Sequence, residues 1–173
     1  MNSEKIIIRF TENSDAEKLA EYVANIFKEN LDTIFKRNAK PTVEEQKAFI
    51  ERMSTAENSF LLIAEYEHQI VGMLDFHVFK VPQKAHGGSF GMSVLKDFRG
   101  MGIGKELLKH MIAVLQNAGK IQRIELQVFS NNANAIKLYE SLGFEHEGRQ
   151  RRAVQINNEF YDILFMAKFL KAF

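Results

Sequence analysis

The residues best suited to chemistry lie in one short stretch, "LKDFRGMGIGKELLKHM", residues 95–111. Gly100, Gly102 and Gly104 alternate, Arg99 and Lys105 bracket them, and an apolar helical pattern follows at once. A helix N-terminus presents unpaired N–H groups at the positive end of its dipole. Glycines let an anion approach that backbone, and the flanking cations add charge, so this spacing favours phosphate binding. A tight strand-to-helix turn with no ligand is the plain alternative. Two common phosphate loops do not fit. A Walker A loop needs glycine where Arg99 stands and Ser or Thr where Glu106 stands. The dinucleotide pattern G-x-G-x-x-G fails because these glycines run at a spacing of two. What remains is R-x-x-G-x-G, from Arg99 to Gly104.

The surrounding elements must position that turn. "KIIIRF" (5–10) reads as a first strand. Ser14 and Glu17 have capping-box spacing for a helix over 14–30, with Leu19, Val23, Ile26 and Phe27 as its apolar stripe. A second helix is expected from Thr42, with Glu45 three residues on, to about Ala56. Residues 59–79 read as two strands around a turn at Glu67–Gln69, and "GGSFGMSV" (87–94) as the strand that feeds the glycine turn. Ile103, Leu107, Met111 and Leu115 keep helical spacing until Gly119, a C-terminal cap. A strand over 123–128, a short helix over 131–143 and two strands around Asn157-Asn158 complete the chain. The order β α α β β β α β α β β places the chain in the α/β class, as one domain over residues 1–173 around a mixed sheet. The unit over 87–128 brings a helix N-terminus to a strand's carboxyl end, where such sheets commonly bind ligands.

Composition narrows the classes. Apolar residues make up 46% and charged residues 26%, an ordinary globular balance. The net charge of +1 argues against a large nucleic-acid footprint. With no cysteine there is no disulfide framework, thiolate metal site or cysteine nucleophile. The five histidines show no ligand spacing, so no metal is expected. No stretch approaches the roughly 18 apolar residues of a membrane span, and the N-terminal apolar run is broken by Arg9. A soluble cytoplasmic protein without membrane partners is expected.

A second stretch, "LQVFSNNANAIKLYESLGF" (126–144), carries Asn132, Ala135, Leu138, Tyr139, Gly143 and Phe144. Together with the glycine turn it resembles the GCN5-related N-acetyltransferase (GNAT) superfamily. That family's first signature, V-x-x-x-x-[RQ]-x-x-G-x-[GA], is matched by Val94, Arg99, Gly102 and Gly104. Its second, roughly V-x-x-x-N-x-x-A-x-x-L-Y-x-x-x-G-F, is matched by Val128, Asn132, Ala135, Leu138, Tyr139, Gly143 and Phe144. The resemblance implies a GNAT-like fold, a mixed central sheet of about seven strands flanked by about four helices. It implies that the anion is the pyrophosphate of acetyl-coenzyme A, held by the backbone N–H groups of Gly100, Met101, Gly102, Ile103, Gly104 and Lys105, with Arg99 also assigned to cofactor binding. It assigns Val94 to a pantetheine-contacting amide and the N–H of Met92 to the thioester oxygen. Asn132 is assigned as helix cap and polar contact to the cofactor. Tyr139 is assigned as general acid to the departing sulfur, a phenol that remains protonated at neutral pH. As a side chain, Tyr139 also has the simpler reading of a helix residue packed on the sheet.

The resemblance implies transfer of an acetyl group to a primary amine, either a small molecule or a peptide N-terminus. A coenzyme A-binding sensor without turnover is the other reading. The base is left open. Many relatives carry a glutamate where Gln127 stands, and an amide cannot take a proton. Glu125, Asp75, His77 and His86 are the nearby candidates, and Asp75 and His77 share a strand face. Phe27, Phe35 and Phe49 are candidates for an acceptor wall. Arg149, Arg151 and Arg152 read as a solvated hairpin edge or an acceptor patch. The tail resembles that of small bacterial acetyltransferases, and homodimerisation is common in the family.

Overall fold

The computed structural model describes residues 6–29 and 41–170. Strand β1 (Ile6–Phe10) leads into helices α1 (Ala16–Lys28) and α2 (Val43–Thr55). Strands β2 (Phe60–Tyr66), β3 (Gln69–Val78) and β4 (Gly87–Val94) follow, then α3 (Ile103–Ala118), β5 (Arg123–Phe129), α4 (Ala133–Ser141), β6 (Glu145–Ile156) and β7 (Glu159–Phe169). The seven strands form one sheet in the order β1-β2-β3-β4-β5-β7-β6. Every pairing is antiparallel except β4 with β5, which is parallel. This is the mixed sheet with four helices that the motif order leads one to expect. None of the described helices is long and apolar enough to cross a membrane.

Local chemistry explains most element ends. In the turn after β2, Glu67 and His68 both take positive φ, as do Asn157 and Asn158 between β6 and β7. Two successive left-handed residues match the twist of a two-residue hairpin. Thr42 caps α2 by accepting from the Glu45 N–H, while the Glu45 carboxylate accepts from the Thr42 N–H at 2.8 Å. Helix α3 ends at Gly119, whose φ of 66° is the left-handed C-terminal stop expected of glycine there. Its apolar stripe, Ile103, Leu107, Leu108, Met111 and Leu115, is buried in the core. Each such side chain contributes about 1.5–3 kcal/mol when fully buried, which is what pins α3 to the sheet.

The start of α1 differs from the sequence expectation. Ser14 and Glu17 do not cap it; a short 3₁₀ turn over Asn13–Asp15 precedes the helix. Asp15 accepts from the Glu12 N–H and takes two bonds from the Arg9 guanidinium, at 2.7 and 2.8 Å. That guanidinium, which also binds Glu65, holds the Asp15 carboxyl below the usual carboxylate range. A partly buried ion pair between β1 and the turn thus decides where α1 begins, and a local cap pattern cannot report it.

Register assigns residues to the two faces. Ser93 lies 2.8 Å from the Tyr22 hydroxyl of α1, so the odd residues of β4 face α1. Met92 and Leu138 of α4 both lie beside Gly104 of α3, so the even residues face α3 and α4. Cross-strand partners share a face. Asp75 pairs with Gly91 and His77 with Ser89, which in turn pairs with Glu125. Asp75, His77, Ser89, Gly91, Glu125 and Gln127 therefore share the α1 face.

Candidate active site

Strands β4 and β5 pair only from Gly87 to Ser89. Beyond that they part. The Leu95 N–H donates to Val71 and the Phe79 N–H to Gly87. Antiparallel bonding alternates, so Ser89, Gly91 and Ser93 turn their amides to β3, and Met92 and Val94 turn theirs toward the gap. A cavity of about 560 Å³ fills this gap. Phe90, Met92, Leu126, Val128, Asn132 and Tyr139 line it on one face, and Asp75, Ser89, Gly91, Glu125, Gln127 and Glu147 on the other. The cavity thus reaches both faces of the sheet.

At the carboxyl end of β4 the glycine turn opens α3. Gly100 and Gly102 have φ of 77° and 84°, a region that disfavours other side chains. A Cβ added at either would meet nothing within 4 Å. Among the described residues, the backbone N–H groups from Gly100 to Lys105 have no hydrogen-bond partner; the Glu106 N–H is the first to be taken, by Gly102. No side chain caps this helix start. The Ile103 side chain is buried, so only its amide is on offer, whereas Met101 and the Lys105 side chain reach solvent. Gly104 has a different task. A Cβ there would lie 3.3 Å from Met92 Cε, so its bareness lets α3 approach β4.

Arg99 does not aim its guanidinium into this cradle. Its Nε donates to the Val94 carbonyl at 2.9 Å, and its other end pairs with Glu29, at the end of α1. Glu29 also accepts from the Lys96 N–H at 2.8 Å. The arginine therefore braces the turn against β4 and α1. Glu29 lies 70 positions away and left no signal in the sequence.

Tyr139 lies across the gap from β4, edge-on to Phe90 and Phe144 at centroid separations of 5.9 and 5.8 Å. Its hydroxyl has no hydrogen-bond partner among the described residues. Burial pushes its pKa up to about 12. Asn132 caps α4 by accepting from the Ala135 N–H at 3.2 Å, and also lines the cavity. Met92 of β4 and Asn132 and Tyr139 of α4 thus meet in one cavity; Val94 and the glycine turn follow Met92 along the chain and do not line it.

The remaining candidates divide. Glu125 binds Arg123 at 2.7 Å, and Arg123 also holds Glu147, a cavity residue that the sequence did not flag. Asp75 and His77 do form a pair, with 2.8 Å between Oδ2 and Nε2. His86 does not line the cavity. Phe27 and Phe49 pack against the core instead of lining the cavity, and Phe35 lies outside the described residues. Arg149 and Arg152 both engage Asp162, by side chain and by N–H respectively, and so belong to the hairpin's own bonding.

An open helix start, two bare glycines and two free strand amides suit a ligand with a phosphate at one end and amide groups along its arm. Comparison with known proteins agrees. The Acetyltransferase (GNAT) domain family matches residues 8–165. An L-amino acid N-acetyltransferase of Escherichia coli is 29% identical over 164 residues, covering 95% of this chain and 98% of that protein. An acetyltransferase of the GNAT family from Streptococcus pneumoniae superposes with a TM-score of 0.89 at 27% identity, covering 95% of this chain and 99% of that one. A Salmonella typhimurium protein, solved with its cofactor acetyl-CoA, shares the fold at a TM-score of 0.85 and 20% identity, with coverage of 96% and 95%.

Proposed function

The chain belongs to the GNAT acetyltransferase family and is an acetyl-CoA-dependent N-acetyltransferase, and from that premise we propose how its residues divide the work. The coenzyme supplies a thioester, whose carbonyl carbon a primary amine attacks. The amides from Gly100 to Lys105 hold the pyrophosphate, helped by the dipole of α3 and by Lys105. Arg99 keeps the Val94 carbonyl and the turn in place. The Val94 amide binds the arm, and the Met92 amide stabilises the charge that develops on the thioester oxygen. Asn132 holds the start of α4, so that Tyr139 stands across the gap. Tyr139 gives its proton to the departing sulfur, which otherwise leaves as a thiolate. The cavity reaches both faces, so the acceptor amine comes from the α1 face while the coenzyme occupies the α3 face. A small amine or a peptide N-terminus, presented in the cytoplasm to a single domain spanning residues 1–173, is the acceptor this reading takes.

The observation that carries the reading is the parting of β4 from β5, with free amides on one side and Tyr139 on the other. Thiol release from acetyl-CoA, measured against amines, amino acids, polyamines and peptides, tests it. One acceptor class is expected to support turnover. Tight binding of coenzyme A without release would favour a sensor. Tyr139→Phe is expected to lower kcat by about 10²-fold or more while leaving coenzyme A binding unchanged. Because the Tyr139 pKa is raised to about 12, its proton stays available through the alkaline range. The rate is therefore expected not to fall between pH 8 and 10; an alkaline limb in that window that disappears in Tyr139→Phe would contradict the burial argument.

A further inference from the structure

The reaction needs a group that receives the amine, and Gln127 cannot take a proton. We propose that Asp75, held by His77, docks the acceptor's ammonium over Gly91 and accepts its proton. The inference rests on the acetyltransferase reading of the same cavity.

Position comes first. Asp75 lies directly across from Gly91, one residue from Met92, whose amide points into the gap. It lines the cavity on the α1 face, opposite the side on which Tyr139 stands. Gly91 keeps that approach open. A Cβ there would lie 3.0 Å from Asp75 Oδ1 and 3.3 Å from Oδ2, tighter than ordinary contact.

Partners come second. Three carboxylates line the cavity: Asp75, Glu125 and Glu147. Arg123 neutralises Glu125 and Glu147 together. Among the described residues, no guanidinium is paired with Asp75. Its Oδ2 is engaged by His77 Nε2, while Oδ1, the oxygen nearest Gly91, has no partner among the described residues. A histidine that engages one oxygen fixes the carboxylate plane and leaves the other oxygen aimed over Gly91. The His77 side chain is about half exposed, at 46%, so it connects the pair to solvent.

The protons balance. The ammonium gives one proton to Asp75, which releases it to water. The neutral amine forms the N–C bond as the C–S bond breaks. The second proton leaves nitrogen as the amide forms and matches the one that sulfur takes from Tyr139, so one proton is released per turnover. Asp75 touches the substrate and is the catalytic residue; His77 is a positioning residue. The titratable groups that share the cavity with Asp75 are Glu125 from β5, Glu147 from β6 and Tyr139 from α4, with Arg123 of β5 bound to both glutamates; Tyr22 of α1 is bonded to Ser93 farther along the same face.

The test uses the whole protein with whichever amine of the panel above the wild type acetylates. Asp75→Asn is expected to lower kcat/KM for that amine by about 10²-fold, the usual share of a general base. Calorimetry should show coenzyme A binding within twofold of wild type. The deficit should shrink as pH rises, because the amine then loses its proton unaided. His77→Gln should retain more activity than Asp75→Asn, and Gly91→Ala should raise KM for the amine and not for acetyl-CoA. Near-wild-type kcat/KM in Asp75→Asn, or a deficit that is constant with pH, would overturn the assignment. Coenzyme A binding by the wild type with no thiol release to any amine would remove the turnover on which the assignment rests and favour the sensor. Wild-type protein that fails to bind coenzyme A would instead remove the acetyltransferase reading beneath it.

Discussion

Helices α2 and α3 begin in opposite ways. At α2, Thr42 and Glu45 satisfy each other's N–H groups, and the helix start is closed. At α3, the N-cap is Gly102 with a φ of 84°, no side chain caps it, and the amides before Glu106 are free among the described residues. A cap is worth about 1 kcal/mol to a helix, so its omission is a local loss of stability. Core burial of Leu107, Leu108 and Met111 offsets that loss for α3. The lesson is that a helix held by its packing can leave its N-terminus vacant for a ligand. Helix α4 stands between the two, capped by Asn132 and yet open to the cavity.

The contrast can be broken from either end. Gly102→Asp puts a carboxylate where the proposed function seats the pyrophosphate. It is expected to weaken coenzyme A binding about 10- to 100-fold, the equivalent of losing one charge-assisted hydrogen bond of about 1.5–3 kcal/mol. If the turn were only a turn, calorimetry would show unchanged affinity and thermal melting alone would drop. Asn132→Ala removes a cap worth about 1 kcal/mol and also a polar cavity wall, so both melting temperature and KM for acetyl-CoA should move. Thr42→Ala is the mildest. It should cost about 1 kcal/mol, or about 2–4 °C in Tm for a chain of this size, with KM unchanged. A KM shift in Thr42→Ala would mean that the closed start is not independent of the cavity.

The difference between what local pattern reports and what it hides runs along the same line. The extent of α3 was legible because one apolar stripe and one terminal glycine both mark it. The β6–β7 turn was legible because adjacent asparagines tolerate left-handed backbone. The glycine turn was legible because left-handed backbone at Gly100 and Gly102 demands glycine, whereas Asn132 and Tyr139 were reached through the family signature they complete, and the two stand in the same cavity. The start of α1 was not, because Arg9 and Glu65 act on Asp15 across the fold. Nor was the role of Arg99, whose partner Glu29 belongs to another helix. Strand alternation put Asp75 and His77 on one face. Only the register with Gly91 and Ser89 shows which face that is and what stands opposite.

The parting of β4 from β5 also divides the sheet mechanically. Four strands lie on one side and three on the other, and the two blocks are laced together by only three residue pairs. The ring cluster of Phe90, Tyr139 and Phe144 acts as a clasp on the α3 face. A ligand seated in the gap touches both blocks and thereby supplies the ladder contacts the strands omit. Its occupancy then adds to folding stability by mass action, so the enzyme is most resistant to unfolding when it is loaded for work.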